Sequence, residues 1–142
     1  DSSTSRGLGD VYKRQILICS LFTSLALAAT LRASKYISSY NAVIYSSGNE
    51  ITVDCSITGT GRMKTIGIKS VKIYTSSGTN VATYSYTTDG YEYLMGSDTG
   101  RKTASVTYTG TSGKSYYAVV VFYASDGSGG DSRSYTTKTI TV

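Results

Sequence analysis

Short alternating runs of apolar and polar residues fill the chain from about residue 39 to its end. The runs are rich in Val, Ile, Thr and Tyr, and groups of Gly, Ser, Asn and Asp separate them about every ten residues. Alternation with a period of two is typical of strands that bury one face. We therefore predict strands at residues 39–45, 50–58, 69–75, 81–87, 91–95, 103–109, 116–124 and 135–142.

Two segments depart from this simple alternation. Met63 and Ile66 share a face at a spacing of three and are followed by Gly67, which predicts one helical turn with a glycine cap. The segment 113–124 carries apolar side chains on both faces, which predicts a central strand. One face comprises Tyr116, Ala118, Val120, Phe122 and Ala124, and the other comprises Tyr117, Val119, Val121 and Tyr123.

The same segment resembles the penultimate strand of fibronectin type III and immunoglobulin-like domains. A Gly-x-x-Tyr turn ending at Tyr116 leads into alternating small and aliphatic residues, then a Gly-rich hairpin and a last strand. Residues 71–74 resemble the third strand of such domains. The resemblance covers residues 50–142, although the family's core Trp, its Cys pair and its strand-edge Pro are missing here.

The resemblance and the strand number together indicate an all-β fold. We expect a single immunoglobulin-like antiparallel β-sandwich of 7–8 strands, because that many short strands in about 110 residues favours two packed sheets. The resemblance also implies a tyrosine-corner role for Tyr116, in which its hydroxyl bonds to the upstream backbone. An ordinary core tyrosine is the alternative.

The start of the chain has a different character. Residues 5–15 resemble, residue for residue, the translation of a common transposase-type sequencing adapter. This resemblance implies an assembled environmental sequence, and we exclude residues 1–15 from arguments about the fold. The alternative is the polar beginning of a signal peptide, with Lys13 and Arg14 as its positive charges.

Residues 16–28 are apolar and uncharged. This is the length of a signal-peptide core, but it is too short to cross a bilayer as a helix. The segment ends in Ala-Leu-Ala, the small-x-small pattern that precedes signal-peptidase cleavage. We predict a secreted domain at 29–142 without stable membrane insertion after cleavage; a core helix or a membrane anchor is the alternative.

Composition excludes several kinds of active site. The chain has no His and two Cys, so it cannot form a His-dependent nucleophilic site or a four-Cys zinc site. Its net charge of +5 includes no dense basic run, so we expect no nucleic-acid binding. Asp126 and Asp131 bracket a Gly-rich loop that predicts a hairpin turn rather than a calcium site. We expect no catalytic residue, no metal and no cofactor.

Cys55 would be the one thiol left after signal cleavage, without a disulfide partner. It alternates with Ile51, Val53 and Ile57 on one strand face. This pattern predicts a structural, buried thiol that packs as a small apolar side chain. A reactive nucleophile is the alternative, and it would need a neighbouring base or cation.

Four tyrosines surround an Asp89-Gly90 pair that predicts a β-hairpin. With a loop of two or four residues, Tyr84, Tyr86, Tyr91 and Tyr93 fall on one face of that hairpin. Such a face would be a ligand-binding platform for sugar rings or for an apolar patch of a partner. Alternatively, the four rings cover the core or form cross-strand pairs.

These features predict a secreted, non-enzymatic interaction or adhesion module of a bacterium. Its partner would be an unknown extracellular protein or glycan. The alternative function is a carbohydrate-binding domain that uses the face formed by the four tyrosines.

Overall fold

The computed structural model describes residues 34–142, which form one compact unit. The segments assigned to the adapter and the signal peptide, 1–15 and 16–28, lie outside the described residues. Within 34–142, no helix is long and apolar enough to cross a membrane. The elements are β1 (Ile37–Ser47), β2 (Glu50–Thr75), β3 (Asn80–Ser85), the 3₁₀ turn η1 (Glu92–Leu94), β4 (Met95–Thr109), β5 (Ser115–Ser125), β6 (Gly130–Thr136) and β7 (Ile140–Thr141).

All strand pairs are antiparallel, so the predicted all-β antiparallel fold is confirmed. The seven strands belong to one open, strongly curled sheet. Its central strand is β2, which is 26 residues long. Residues 50–58 of β2 lie between β1 and β4, whereas residues 65–75 lie between β5 on one side and β3 with the start of β4 on the other.

The sheet changes direction where β2 and β4 cross from one half of the sheet to the other. Thr58 pairs with Arg101 and Met63 pairs with Thr99, so four residues of β2 bulge opposite the single residue Gly100. A bulge increases the local twist and bends the strand that carries it. The segment before β1 holds this bend, because the Lys35 carbonyl accepts a hydrogen bond from the Thr60 hydroxyl at 2.8 Å.

The curl encloses one apolar core between the two halves of the sheet. Ile44, Ile51 and Val53 line it from the first half, and Ile73 and Phe122 line it from the second half; each is at most 1% exposed. Ring contacts join the halves at Tyr40–Phe122 and Tyr108–Tyr116, with centroids 5.4 and 5.9 Å apart.

The predicted helical turn at residues 63–67 is wrong. These residues continue β2, with Met63 and Ile66 buried and Gly67 paired to Met95. Position 67 requires glycine because the backbone of Leu94 and Met95 lies close to it, not because a helix ends there. A Cβ at this position would lie against the Leu94 carbonyl oxygen and 2.8 Å from the Met95 Cα. The predicted strands 50–58 and 69–75 are therefore parts of one strand.

The predicted hairpin at residues 84–95 is also wrong. β3 pairs with β2, not with the segment that follows it. Residues 91–94 are not a strand, because the 3₁₀ turn η1 buries Leu94 and leads directly into β4 at Met95. β4 consequently begins at Met95, eight residues before the predicted start of that strand.

The end of the chain forms two strands where one was predicted at 135–142. β6 begins at Gly130, and Thr137 then interrupts the ladder. The Thr137 hydroxyl accepts a hydrogen bond from the Ala118 amide at 2.9 Å, and the Thr137 amide donates to the Ala118 carbonyl at 2.9 Å. The Thr137 hydroxyl thus replaces a backbone carbonyl as the acceptor for the Ala118 amide. The chain then continues as β7.

Candidate binding surface

Three of the four predicted platform tyrosines come together, although no hairpin joins them. The Tyr84 and Tyr91 ring centroids are 5.1 Å apart, and those of Tyr91 and Tyr93 are 6.0 Å apart. Tyr84, Tyr86 and Tyr91 are all partly buried and pack against the core. We call Tyr84, Tyr91 and Tyr93 the tyrosine cluster. It lies where β3 and η1 meet the outer edge of β4.

The hydroxyls of the tyrosine cluster bond to the backbone of β4. Tyr84 donates to the Thr107 carbonyl at 2.8 Å, and Tyr93 donates to the Ser105 carbonyl at 2.9 Å. Among the described strands, β4 pairs only with β2, so these carbonyls belong to its open edge. The cluster therefore covers an edge that could otherwise pair with another chain.

The geometry of the tyrosine cluster is not that of a flat platform. Neighbouring rings are tilted by 45° between Tyr84 and Tyr91 and by 35° between Tyr91 and Tyr93. Burial raises the pKa of both Tyr84 and Tyr93. Tyr93 nevertheless remains 45% exposed. Tyr93 is thus the most exposed residue of the tyrosine cluster.

The two predicted structural residues both lie in the core. Tyr116 is 2% exposed, and its hydroxyl accepts a hydrogen bond from the Thr111 amide, five residues upstream, at 2.8 Å. Cys55 is 3% exposed and is a free thiol. Burial raises the pKa of the Cys55 thiol to about 12, which keeps the sulfur in its unreactive neutral form.

Sequence analysis missed a second aromatic surface, on the outer face of β5. Four alternating side chains form it: Tyr117, Val119, Val121 and Tyr123, which we call the outer stripe. Each is half-buried, whereas the residues between them are fully buried on the core face. Apolar residues on both faces of this strand predict burial on both faces, but the structure buries only the core face fully.

A neighbouring side chain of β2 lies against one face of each tyrosine ring in the outer stripe. Tyr117 stacks on Tyr74 of β2, with centroids 5.3 Å apart and planes within 12° of parallel. Because adjacent strands are about 4.8 Å apart, these rings face one another across the gap between strands. The Lys69 ammonium lies over the Tyr123 ring, 4.7 Å from its centroid. One face of each tyrosine ring in the stripe is therefore in contact with a neighbour on β2.

Hydroxyl side chains and lysines surround the outer stripe. Lys69 and Lys72 are its charged neighbours, and Lys72 is exposed. The outward strand positions of this face, all within residues 65–136, include no carboxylate. The small polar side chains that flank the stripe are Thr83 and Ser85 on β3, Ser70 on β2, and Ser132, Ser134 and Thr136 on β6.

Three of the described carboxylates, Asp54, Asp126 and Asp131, have separate partners. Asp54 accepts a hydrogen bond from the Ser105 hydroxyl. Asp126 accepts bonds from the loop that joins β5 to β6, including one from the Ser128 hydroxyl at 2.7 Å, which lowers the pKa of Asp126. Asp131 forms an ion pair with Arg133 at 2.8 Å. Residues 34–142 contain no group of three His, Cys, Asp or Glu side chains arranged to hold a metal ion.

Comparison with protein-family models finds no family that matches this chain, and comparison with curated protein sequences finds no significant match.

Proposed function

We propose that residues 29–142 form a secreted, non-enzymatic interaction module of a bacterium that binds an extracellular protein through the outer stripe. The observation that carries this proposal is a row of four half-exposed apolar and aromatic side chains on the outer face of one strand. Surface patches of this kind with a polar surround are typical of protein-binding sites. Tyrosine supplies large contact area at low entropic cost.

The orientation of the rings favours a protein partner over a sugar. A sugar ring stacks on the face of an aromatic side chain, whereas Tyr74 and Tyr117 face each other and Lys69 lies over the face of Tyr123. The half-exposed side chains of the stripe are two valines and two tyrosines, with hydroxyl side chains beside them. These groups match the apolar centre and polar rim of a protein–protein interface.

The positive charges beside the outer stripe favour a negatively charged partner. Lys69 and Lys72 are both positive, and the face around them has no carboxylate. A partner with Asp or Glu beside an apolar patch would therefore be complementary to this surface. A positively charged partner would meet repulsion at the same place.

An immunoglobulin-like domain is the fold that we propose for the module. The neighbours of each strand support this: residues 50–58 of β2 lie between β1 and β4, while residues 65–75 pair with β5, which in turn pairs with β6. Immunoglobulin-like domains have the corresponding neighbours in their two sheets. Here one long strand would supply both the second and the third strands.

The test of the binding surface is an array of purified extracellular proteins probed with the wild-type domain, Val119→Glu, Lys72→Glu and Thr107→Glu. Val119→Glu places a carboxylate in the stripe, and Lys72→Glu reverses an exposed charge beside it without disturbing the core. Both should weaken a wild-type interaction at least about tenfold, the effect of roughly 1.4 kcal/mol. Thr107→Glu is the matched control, because Thr107 is exposed on a different strand, β4.

Retention of the wild-type partner by both stripe variants would contradict the proposal, and so would equal loss of binding in Thr107→Glu.

Export is tested separately. The chain expressed with residues 16–28 should appear in the medium with Ala29 as its first residue, and intracellular retention of the uncleaved chain would argue against a secreted protein.

Carbohydrate binding by the tyrosine cluster is the second candidate function. Its support is the continuous contact of three rings with Tyr93 45% exposed. A glycan array should then show a ligand that Tyr93→Ala loses and Val119→Glu keeps. If no glycan binds, or if Tyr93→Ala binds as the wild type does, this candidate fails independently of the outer stripe.

A further inference from the structure

One half of the curled sheet has an outer face that carries mainly hydroxyl side chains. It is formed by the outward positions of residues 39–47 of β1, 50–58 of β2 and 101–109 of β4, which the strand register aligns in rows. We call this surface the polar face. Most of its side chains are Ser or Thr, and the exceptions are Asn41, Val43, Tyr45, Glu50, Asp54 and Arg101.

Asp54 lies in a shallow groove at the centre of the polar face. The groove follows β2, whose outward side chains there are half-buried, between the exposed outward side chains of β1 and β4. Val43 on β1 and Ser105 on β4 are the cross-strand neighbours of Asp54, and Asn41 lines the groove one row further along. Small molecules bind preferentially at concave sites where a few polar groups converge.

The polar groups in the groove keep hydrogen-bonding capacity for a ligand. The Asn41 side chain has no hydrogen-bond partner among the described residues. Asp54 accepts a hydrogen bond from the Ser105 hydroxyl through one oxygen, Oδ1. A hydrogen bond with Asp54 also raises the pKa of Tyr45, which places the Tyr45 hydroxyl beside this carboxylate. Because an ionised carboxylate can accept about four hydrogen bonds, acceptor positions remain on Asp54.

Apolar surface lies directly beside these polar groups. Val43 is 47% exposed and Tyr45 is 46% exposed, at successive outward positions of β1. The Tyr45 ring leans towards β2, because its hydroxyl reaches Asp54 on that strand. A sugar ring carries hydroxyls around its edge and C–H groups on its faces. It therefore fits a site where an aromatic side chain adjoins hydrogen-bonding groups.

We propose that the polar face binds a neutral saccharide at Asp54. The Asp54 carboxylate accepts hydrogen bonds from sugar hydroxyls, the Asn41 amide donates to a sugar oxygen, and Tyr45 packs against C–H groups. Asn41 and Asp54 are diagonal neighbours on paired strands, roughly 7–8 Å apart, so one sugar ring can reach both side chains. This site lies on different strands from the outer stripe and goes beyond the protein interaction proposed there.

Charge and composition favour a neutral saccharide over other ligands. An anionic ligand would meet the negative charge of Asp54 in the groove. A basic partner would be attracted by Asp54 but repelled by the chain as a whole, whose net charge is +5. A protein partner would find little of the apolar centre that its interface needs, because Val43 and Tyr45 are the large apolar side chains of this face.

The first experiment probes the full chain on an array of neutral oligosaccharides of glucose, galactose, mannose and N-acetylglucosamine, with sialylated glycans and polylysine as charged probes. The wild type should bind a neutral oligosaccharide, and Asp54→Asn should weaken this binding at least about tenfold, because it removes the charge that strengthens the hydrogen bonds. Asp98→Asn is the matched control. It makes the same change at an exposed position elsewhere on β4, where the φ of 55° suits Asn as well as Asp.

Nuclear magnetic resonance locates the ligand on the wild-type chain, without a substitution that could affect folding. Titration with the bound oligosaccharide should shift the side-chain amide resonance of Asn41. Asn80 is the internal control, because its side-chain amide already donates to the Ile73 and Ala82 carbonyls. Its resonance should not move.

Binding of no neutral oligosaccharide, or of the charged probes alone, would overturn the proposal. Unchanged binding by Asp54→Asn, an equal loss in Asp98→Asn, or an unmoved Asn41 resonance would also overturn it. A glycan that Tyr93→Ala loses and Asp54→Asn keeps would assign sugar binding to the tyrosine cluster instead. Val119→Glu should bind the oligosaccharide as the wild type does, so these results are independent of the outer stripe.

Discussion

Tyrosine hydroxyls satisfy backbone groups at three separate places in this molecule. Tyr116 accepts a hydrogen bond from the Thr111 amide, while Tyr84 and Tyr93 donate to carbonyls of β4. The ring of each tyrosine packs as an apolar group at the same time. A tyrosine-rich sequence can therefore stabilise a small core and cover a sheet edge with one residue type, and only the surroundings of each ring tell these roles apart.

Tyr116 should be the tyrosine whose loss costs most stability. Tyr116→Ala empties a buried site and should lower the free energy of unfolding by about 3–5 kcal/mol. Tyr116→Phe keeps the ring and removes one hydrogen bond, so it should cost about 1 kcal/mol. Tyr93→Ala is the comparison, because Tyr93 is 45% exposed, and it should cost less than Tyr116→Ala. Urea denaturation measures all three, and equal losses would contradict the assignment.

Cys55 should make stability fall at high pH. The unfolded thiol ionises near its ordinary value of 9.0, but in the folded protein burial raises the pKa of Cys55 to about 12. Below pH 9 both the folded and the unfolded state keep the thiol proton, so ionisation of Cys55 does not lower the free energy of unfolding. Between pH 9 and 12 the unfolded state releases it first, and stability is lost progressively.

Cys55→Ala isolates this effect from the ionisation of tyrosines. The variant should cost on the order of 1 kcal/mol at neutral pH, as a small core truncation. Its stability should then decline less between pH 9 and 12 than that of the wild type. Parallel curves for the two proteins over this range would show that the thiol has no such role, as would rapid alkylation of Cys55 in the folded state.

At the scale of elements, the alternation of apolar residues predicts where strands lie better than where they end. β1 and β5 match their predicted ranges closely. The pattern predicts two strands in place of β2 because Met63 and Ile66 have a helical spacing, yet residues 59–62 form a bulge within one continuous strand. The 84–95 hairpin failed because Asp89-Gly90 turns the chain towards η1, and β3 finds its partner in β2.

Gly67 marks the closest approach between β2 and the segment that follows η1. Gly67→Ala should lower the free energy of unfolding by about 2–3 kcal/mol, because the new methyl group would require the backbone at Leu94 and Met95 to move. Gly61→Ala is the control, since no atom lies within 4 Å of a Cβ at that position. Its effect should stay within about 0.5 kcal/mol. Thermal unfolding followed by circular dichroism compares the variants, and equal melting temperatures would contradict this explanation of Gly67.

For the whole molecule, the sequence pattern predicts the all-β class with antiparallel strands and the buried faces at residues 51–57 and 116–124. It did not predict which strands neighbour each other, because pairing depends on contacts between residues far apart in the chain. The two candidate binding surfaces could not be predicted for the same reason. The tyrosine cluster assembles between η1 and β4, and the outer stripe is exposed only because no described layer covers the outer face of β5.

The two halves of the sheet should unfold together. β2 and β4 both run through the bend and contribute residues to each half, so neither half has a complete set of strands without the other. Unfolding of residues 29–142 in urea should therefore be a single transition, with coincident curves from far-ultraviolet circular dichroism and tyrosine fluorescence. Gly67→Ala should shift both curves equally, although the substitution lies in one half. Two separated transitions, or a shift seen by one probe alone, would mean that the bend links two independently stable units.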